Sequence, residues 1–244
     1  MNSGYYAACA GLQAQSQALE LTANNLANLD TTGYRAQTSL FRSLLADAVS
    51  DSADPINRAV NNFNLLGGSQ TDLHAGNLER TGNPFDLAVE GKGFFAVQTS
   101  AGTLYTRDGN FQVSRTGRLT TSSGDPVLGE DGPLVIPAGT ISISPDGTLS
   151  SDGAIAGKLR LVEFTPGASP TPYGKSYYSA PNAQVRLAVD SYVRQGMLES
   201  SNVNAVESLV DLITIQRRAE MLQRAMSAFN SNFDHIAASD LPHV

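Results

Sequence analysis

Near its C-terminus the chain reads Ala205-Val-Glu-Ser-Leu-Val-Asp-Leu-Ile-Thr-Ile-Gln-Arg-Arg-Ala-Glu-Met-Leu-Gln-Arg-Ala-Met-Ser-Ala-Phe-Asn-Ser-Asn-Phe-Asp-His-Ile236, without glycine or proline. Asn204, followed by Glu207, is a variant of the capping box that starts helices. The stretch predicts a helix over about 205–236, roughly 48 Å long. Two sets of apolar residues recur in it every seven positions, in the a and d registers of a coiled coil: Leu212, Ala219, Met226 and Phe233, and Ile215, Leu222, Phe229 and Ile236.

A second helix is predicted near the N-terminus, over about residues 5–29. Glu20 is its one charged side chain, fewer than a solvated helix normally carries. Gly33 is placed to end the segment. The apolar stripe of this helix also has a spacing of seven: Tyr5, Leu12, Leu19 and Leu26.

The C-terminal helix begins with another apolar stripe, offset from the heptad by about half a turn: Val203, Val206, Val210 and Ile213. Pairing of the two helices within one chain accounts for part of the apolar surface. It does not explain the weakly charged N-terminal helix or the offset stripe. These two features favour a contact with other chains.

Between the helices lies a region rich in turn residues. Of 22 Gly and 11 Pro, 15 and 9 fall between Gly82 and Asn182. Short apolar runs there predict strands, with Gly91-Lys92-Gly93 as a tight hairpin turn between two of them. Four Gly-x-Leu triplets begin 15 residues apart, and each predicts a turn glycine followed by a buried leucine: Gly102, Gly117, Gly132 and Gly147.

Composition and motifs argue against several functional classes. Net charge is −7, which is unfavourable for a protein that binds nucleic-acid backbones. No apolar run is long enough to span a membrane, and the N-terminus lacks the pattern of a signal peptide. The single Cys9, whose role stays open, excludes an intramolecular disulfide, and three scattered histidines form no metal motif. We therefore expect no catalytic residue, no metal and no cofactor.

Three separate blocks resemble the signatures of the flagellar basal-body rod and hook proteins. The first is Thr22-Ala-Asn-Asn-Leu-Ala-Asn-Leu-Asp-Thr-Thr-Gly-Tyr-Arg35. The second combines Leu87-Ala-Val-Glu-Gly-Lys-Gly-Phe-Phe95 with Tyr105-Thr-Arg-Asp-Gly-Asn-Phe111, and the third is Gln195-Gly-Met-Leu-Glu-Ser-Ser-Asn-Val-Asn204. The resemblance covers both ends and the middle of the chain in the family's order.

The resemblance implies a non-enzymatic axial subunit that polymerises helically with copies of itself and with other rod and hook proteins. It also implies localisation to the basal-body rod across the periplasm, and transport by the flagellar export apparatus without a cleaved signal peptide. Length and layout point to the mid-sized rod proteins. Gln216-Arg-Arg-Ala-Glu-Met-Leu222 favours the proximal over the distal rod type, which stays the alternative. A secreted oligomeric adhesin or cap, and a β-rich hydrolase with helical arms, are the remaining alternatives.

The expected fold class is α+β, with the terminal helices paired as a coiled-coil layer and an all-β domain inserted between them. The expected segments are an N-terminal helix (1–33), a connector with a short amphipathic helix from Leu40 to Val49 (34–81), the β domain (82–182), a return connector (183–203) and the C-terminal helix (204–244). The expected assembly residues on the helices are Leu12, Leu19, Asn24, Asn25, Leu26, Asn28, Leu212, Ile215, Leu222, Met226, Phe229, Phe233 and Ile236.

The asparagines have a separate physical argument. Asn24 and Asn28 are four positions apart and share a helix face, with Asn25 beside them. A buried amide must find hydrogen-bond partners, and in doing so it fixes the register of a helix. The alternative is that these residues cap or loosen the helix end.

Overall fold

The structure is a computed structural model in which residues 3–43, 64–174 and 176–239 are described. The chain divides into two compact units. The helical unit comprises, of these residues, 3–26, 37–43, 64–70 and 204–239. The β unit comprises 27–36 and 71–203 without residue 175. Each unit takes residues from distant parts of the sequence, so the β unit interrupts the helical one.

The helical unit contains both predicted helices, α1 (Ser3–Ala27) and α2 (Ala205–Ser239), together with a two-stranded sheet of β1 (Gln37–Ser43) and β2 (Asn64–Thr71). The side chain of Asn204 starts α2 as predicted. Its Oδ1 accepts hydrogen bonds from the backbone N–H groups of Val206 at 3.1 Å and Glu207 at 3.3 Å. Part of the predicted connector helix is wrong, because residues 40–43 belong to β1. The remainder, residues 44–49, lies outside the described chain.

The buried face of α1 consists of small residues. Ala8, Ala14 and Ala18 are buried, whereas Leu12 and Leu19 are half-buried. Gly11 of α1 lies close to α2, since a Cβ added at Gly11 would be 3.3 Å from a methyl carbon of Leu222. Gly11 is therefore a point of close approach to α2, whereas the larger Leu12 and Leu19 of α1 remain half-buried.

The strands of the β unit are short. They are β3 (Leu78–Arg80), β4 (Leu87–Gly91), β5 (Phe94–Thr99), β6 (Gly102–Thr106), β7 (Phe111–Val113), β8 (Leu119–Thr121), β9 (Leu128–Gly129), β10 (Gly132–Pro133), β11 (Ile141–Ile143), β12 (Thr148–Ser151), β13 (Ala154–Lys158), β14 (Leu161–Phe164), β15 (Thr171–Tyr173), β16 (Tyr177–Ser179), β17 (Val185–Leu187), β18 (Ser191–Gln195) and β19 (Met197–Glu199). The largest sheet has the order β15-β16-β6-β5-β14-β17, and β11-β12-β13 form another. Smaller antiparallel pairs are β7-β8, β9-β10, β18-β4 and β19-β3.

Strand β5 separates two apolar clusters of the β unit. Phe95 and Val97 point into the larger cluster, while Phe94 and Ala96 point into the smaller one. This is the alternation expected of a strand that is covered on both faces. The Gly-x-Leu prediction is confirmed, because all four glycines have positive φ and all four leucines are buried in the larger cluster: Leu104, Leu119, Leu134 and Leu149.

The predicted hairpin at Gly91-Lys92-Gly93 is wrong. Strand β4 pairs with β18, and β5 pairs with β6 and β14, so the three residues connect different sheets. Gly91 instead provides space for a close approach, since a Cβ there would collide with the backbone oxygen of Asp190. The β unit also extends beyond the expected 82–182, because β18 and β19 in the expected return connector pair with β4 and β3.

Candidate functional site

The three signature blocks meet within the β unit. Thr32 donates its hydroxyl to Oδ1 of Asp108 at 2.6 Å, which joins the first block to the second. The backbone N–H of Gly33 donates to the carbonyl oxygen of Glu199 at 2.8 Å, which joins the first block to the third. Residues separated by about 70 to 165 positions thus form one site.

The centre of this site is a buried ionic cluster of Arg35, Arg107 and Glu199, called here the arginine–glutamate cluster. The Glu199 side chain is fully buried, with Oε1 2.5 Å from Nη2 of Arg35 and Oε2 3.0 Å from Nη1 of Arg107. Oε1 also accepts the backbone N–H of Gly76 at 2.9 Å. One carboxylate therefore joins four segments of the chain.

Arg107 has partners at both terminal nitrogens, whereas its buried Nε has no hydrogen-bond partner in the described chain. Its Nη1 donates to the carbonyl oxygen of Val89 at 2.8 Å, and its Nη2 donates to that of Gly91 at 2.5 Å. Its guanidinium carbon lies 4.7 Å from the centre of the Phe94 ring, which is a cation–π contact. Burial nevertheless lowers the pKa of Arg107 to about 10, although the neighbouring Glu199 opposes the shift.

Arg35 is less well partnered. Its Nη2 is in ion-pair contact with Glu199 but without hydrogen-bond alignment, and its Nε and Nη1 have no hydrogen-bond partner in the described chain. Its backbone N–H donates to the hydroxyl of Tyr178 at 3.1 Å, and burial raises the pKa of that hydroxyl. The cluster thus holds two guanidinium groups and one carboxylate, and Arg35 also interacts electrostatically with the partly exposed carboxyl of Asp72.

The backbone packs tightly around the cluster. Gly33 has a φ of +67°, and a Cβ there would collide with the backbone of Arg107 and Asp108. Glycine is therefore required at this position both for its conformation and for its size. Burial raises the pKa of the Asp108 carboxyl, and the hydrogen bond from Thr32 opposes that shift.

Asparagine amides hold the ends of the segment that carries Arg35. In the helical unit, Asn25 binds the backbone of Gln37 in both directions, with N···O distances of 2.8 Å. In the β unit, Asn202 accepts the N–H of Ala36 at 2.7 Å and donates to the carbonyl oxygen of His74 at 3.0 Å. Asn28 accepts the hydroxyl of Thr31 at 3.2 Å, which is a local contact at the helix end.

The expected assembly residues are distributed along both helices. Leu12, Leu19 and Ile215 line one groove of about 600 Å³ in the helical unit. A further group is half-buried: Leu26, Leu212, Leu222 and Met226. Asn24 and Phe229 are exposed. The side chains of Phe233 and Ile236 lie outside the described part of α2.

Sequence reasoning did not identify the arginine–glutamate cluster. Arg35, Arg107 and Glu199 each lie inside a quoted signature block. The blocks also contain charged residues that are exposed, such as Glu90 and Lys92, so the sequence did not distinguish the three buried ones. Among the described residues, no group of three possible ligands could hold a metal. Neither described helix combines the length and the hydrophobicity of a transmembrane segment.

Comparison with family models gives three matches in chain order. Residues 6–35 match the flagella basal body rod protein, and residues 88–151 match the flagellar hook protein FlgE/F/G D1 domain. Residues 194–238 match the C-terminal part of the flagellar basal body rod FlgEFG protein. The first two matches contain Arg35 and Arg107, and the third contains Glu199.

Similar proteins match over almost the whole chain. The flagellar basal-body rod protein FlgF of Caulobacter vibrioides is 31% identical, covering 93% of each chain. FlgF of Salmonella typhimurium is 34% identical, covering 87% of this chain and 88% of the relative. FlgG of Agrobacterium fabrum is also 34% identical, covering 90% and 92%. These are structural and not enzymatic proteins, which removes the hydrolase alternative. The chain belongs to the flagellar basal-body rod protein family.

Proposed function

We propose that this protein is a structural subunit of the proximal part of the flagellar basal-body rod and that it polymerises through its terminal helices. The relatives named FlgF support the proximal position, as does the sequence of the last helix. A distal position is the alternative, because relatives named FlgG are about as similar. Its partners are copies of itself and other axial proteins, and the flagellar export apparatus delivers it.

One observation carries the assembly proposal: the first turns of α2 expose an apolar stripe. Val206 is 72% exposed, Val210 58% and Ile213 51%. They lie on the side of α2 away from the half-buried Leu212, Ile215 and Leu222, and Leu209 beside them is also exposed.

Local stability does not explain this stripe. Valine and isoleucine lose side-chain freedom in a helix and are weaker helix formers than alanine or lysine. On an exposed face they also gain nothing from burial. An apolar stripe of this kind is stabilising only when another surface covers it, and full burial of such a side chain contributes about 1.5–3 kcal/mol.

We further propose that α1 and α2 pair as a coiled coil, with the leucine and isoleucine heptads along its seam. The approach of Leu222 to Gly11, and the groove shared by Leu12, Leu19 and Ile215, support this pairing. The expected seam residues Met226, Phe229, Phe233 and Ile236 would continue it towards the end of α2.

The test changes the exposed stripe and leaves the half-buried heptad intact. The Val210→Asp/Ile213→Asp variant is expressed in a flagellated strain that lacks the gene. We expect unchanged circular dichroism and thermal unfolding of the purified protein, together with loss of the subunit from isolated basal bodies and loss of swimming. Ile155→Asp is the matched control, because Ile155 is 79% exposed but belongs to the β unit.

Normal incorporation of the stripe variant would show that α2 does not assemble through this face. The position in the rod is tested separately, with an epitope inserted at Gly124. This turn residue is exposed enough that an added Cβ meets nothing within 4 Å. Gold labelling near the cell-membrane end of isolated basal bodies supports the proximal position, and labelling at the other end supports the distal one.

A further inference from the structure

We propose that Arg35 is a positioning residue for assembly, which joins the segment after α1 to the segment before α2 without adding to the stability of the fold. This inference rests on the proposed assembly through the terminal helices. It concerns contacts within the β unit, where residues 27–36 and 196–203 lie beside each other.

The two segments are joined by backbone and side-chain contacts. The N–H of Gly33 donates to the carbonyl oxygen of Glu199 at 2.8 Å, and the N–H of Asn202 donates to that of Tyr34 at 3.4 Å. Oδ1 of Asn202 also accepts the N–H of Ala36. The Arg35–Glu199 ion pair lies in the middle of these contacts, eight residues after the end of α1 and six before the start of α2.

Glu199 does not need Arg35 for its own stabilisation. Its carboxylate already has Arg107 as an ionic partner and the N–H of Gly76 as a donor. Arg107 and Glu199 alone would form a neutral buried pair. Arg35 adds a second cation, with two guanidinium nitrogens that have no hydrogen-bond partner in the described chain.

Such a residue is unfavourable on energetic grounds. A buried charged group without full hydrogen bonding loses the water that it bound in the unfolded chain. Removing one partner of a buried ion pair is costly when the other charge is left uncompensated, but Glu199 keeps Arg107 as its counter-ion when Arg35 is removed. An ion pair depends on the relative orientation of its two groups more than an apolar contact does. The Arg35–Glu199 pair therefore favours one alignment of the two segments.

The test compares Arg35→Met with Arg115→Met, which removes an exposed arginine of the same unit. We expect Arg35→Met to unfold at an unchanged or higher temperature. We also expect its incorporation into basal bodies to fall at least tenfold, while Arg115→Met incorporates normally. Arg35→Lys restores a cation opposite Glu199, and we expect it to recover part of the incorporation.

Amide hydrogen exchange distinguishes a positioning role from a purely structural one, because only a positioning role predicts faster exchange confined to the amides between the two segments. In Arg35→Met the amides of Gly33 and Ala36, which bridge the two segments, should exchange at least tenfold faster. The amide of Gly76, which is bound to Glu199 directly, should be unchanged. Normal incorporation of Arg35→Met into basal bodies would overturn the proposal. So would an unfolding temperature low enough to explain a loss of incorporation by instability of the fold. Failure of the proposed function is distinguishable, because the Val210→Asp/Ile213→Asp variant would then incorporate normally.

Discussion

Neutralising the one carboxylate of the arginine–glutamate cluster is the most direct test of its energetics. Glu199→Gln keeps the shape of the side chain and an oxygen for the N–H of Gly76, but it removes the negative charge. Arg35 and Arg107, both almost fully inaccessible to water, then lose the one carboxylate that both of them contact.

The structure sets the size of the effect. Removal of one partner from a buried ion pair costs about 3–5 kcal/mol, because the remaining charge is left without compensation. For a unit of roughly 150 residues, each kcal/mol lowers the unfolding temperature by about 2–4 °C. We therefore expect Glu199→Gln to unfold about 10 °C below the wild-type protein.

Calorimetry and near-ultraviolet circular dichroism of the buried tyrosines measure this change, since the chain contains no tryptophan. Glu163→Gln is the control. Its ion pair with Arg186, at 2.7 Å, is in the same unit, but the Arg186 side chain is largely exposed, so we expect a loss below about 1 kcal/mol. The Arg35→Met exchange should recover part of the stability lost in Glu199→Gln. If Glu199→Gln unfolds within about 2 °C of the wild type, the cluster does not have the ionic character inferred from its geometry.

Two further predictions concern the surroundings of the cluster. In urea unfolding, Gly33→Ala should destabilise the β unit by at least about 2 kcal/mol more than Gly124→Ala. Both glycines have positive φ, but of the two only Gly33 would place an added Cβ against backbone atoms. Equal losses in the two variants would contradict the close approach at Gly33. Burial raises the pKa of Tyr178, so the unfolded chain loses this proton first and stability falls as pH rises above about 10. Tyr178→Phe should lower the free energy of unfolding at neutral pH by about 1–3 kcal/mol, because the N–H of Arg35 loses its acceptor. It should also make the loss of stability at alkaline pH less steep than in the control Tyr173→Phe, which changes an exposed tyrosine. An unchanged slope at alkaline pH would contradict this assignment.

Local patterns predicted the parts of the fold that local forces determine. The heptad and the Asn204 cap gave the position of α2, because both act within a few turns of one helix. The Gly-x-Leu triplets gave turns and buried leucines, because turn conformation and strand alternation extend over only a few residues.

Long-range pairing was not predictable in the same way. The hairpin interpretation at Gly91 required β4 to pair with its neighbour in sequence. The strand instead pairs with β18, about 100 residues later. The arginine–glutamate cluster has the same difficulty, since nothing in the sequence around Arg35 identifies Glu199 as its partner. Charged residues are also expected at the surface, so a sequence pattern of apolar residues cannot reveal a buried ionic group.

The burial of alanines in α1 indicates that its leucine heptad is not fully used for packing within one chain. Among the described side chains of this helix, the buried ones are Ala8, Ala14 and Ala18, which have little apolar area. Leu12 and Leu19 are only half-buried, although they have far more apolar surface. A chain that had to be stable alone would bury the leucines and expose the alanines. The opposite arrangement is favourable when a second chain covers the leucines, which is the condition that a helical polymer provides.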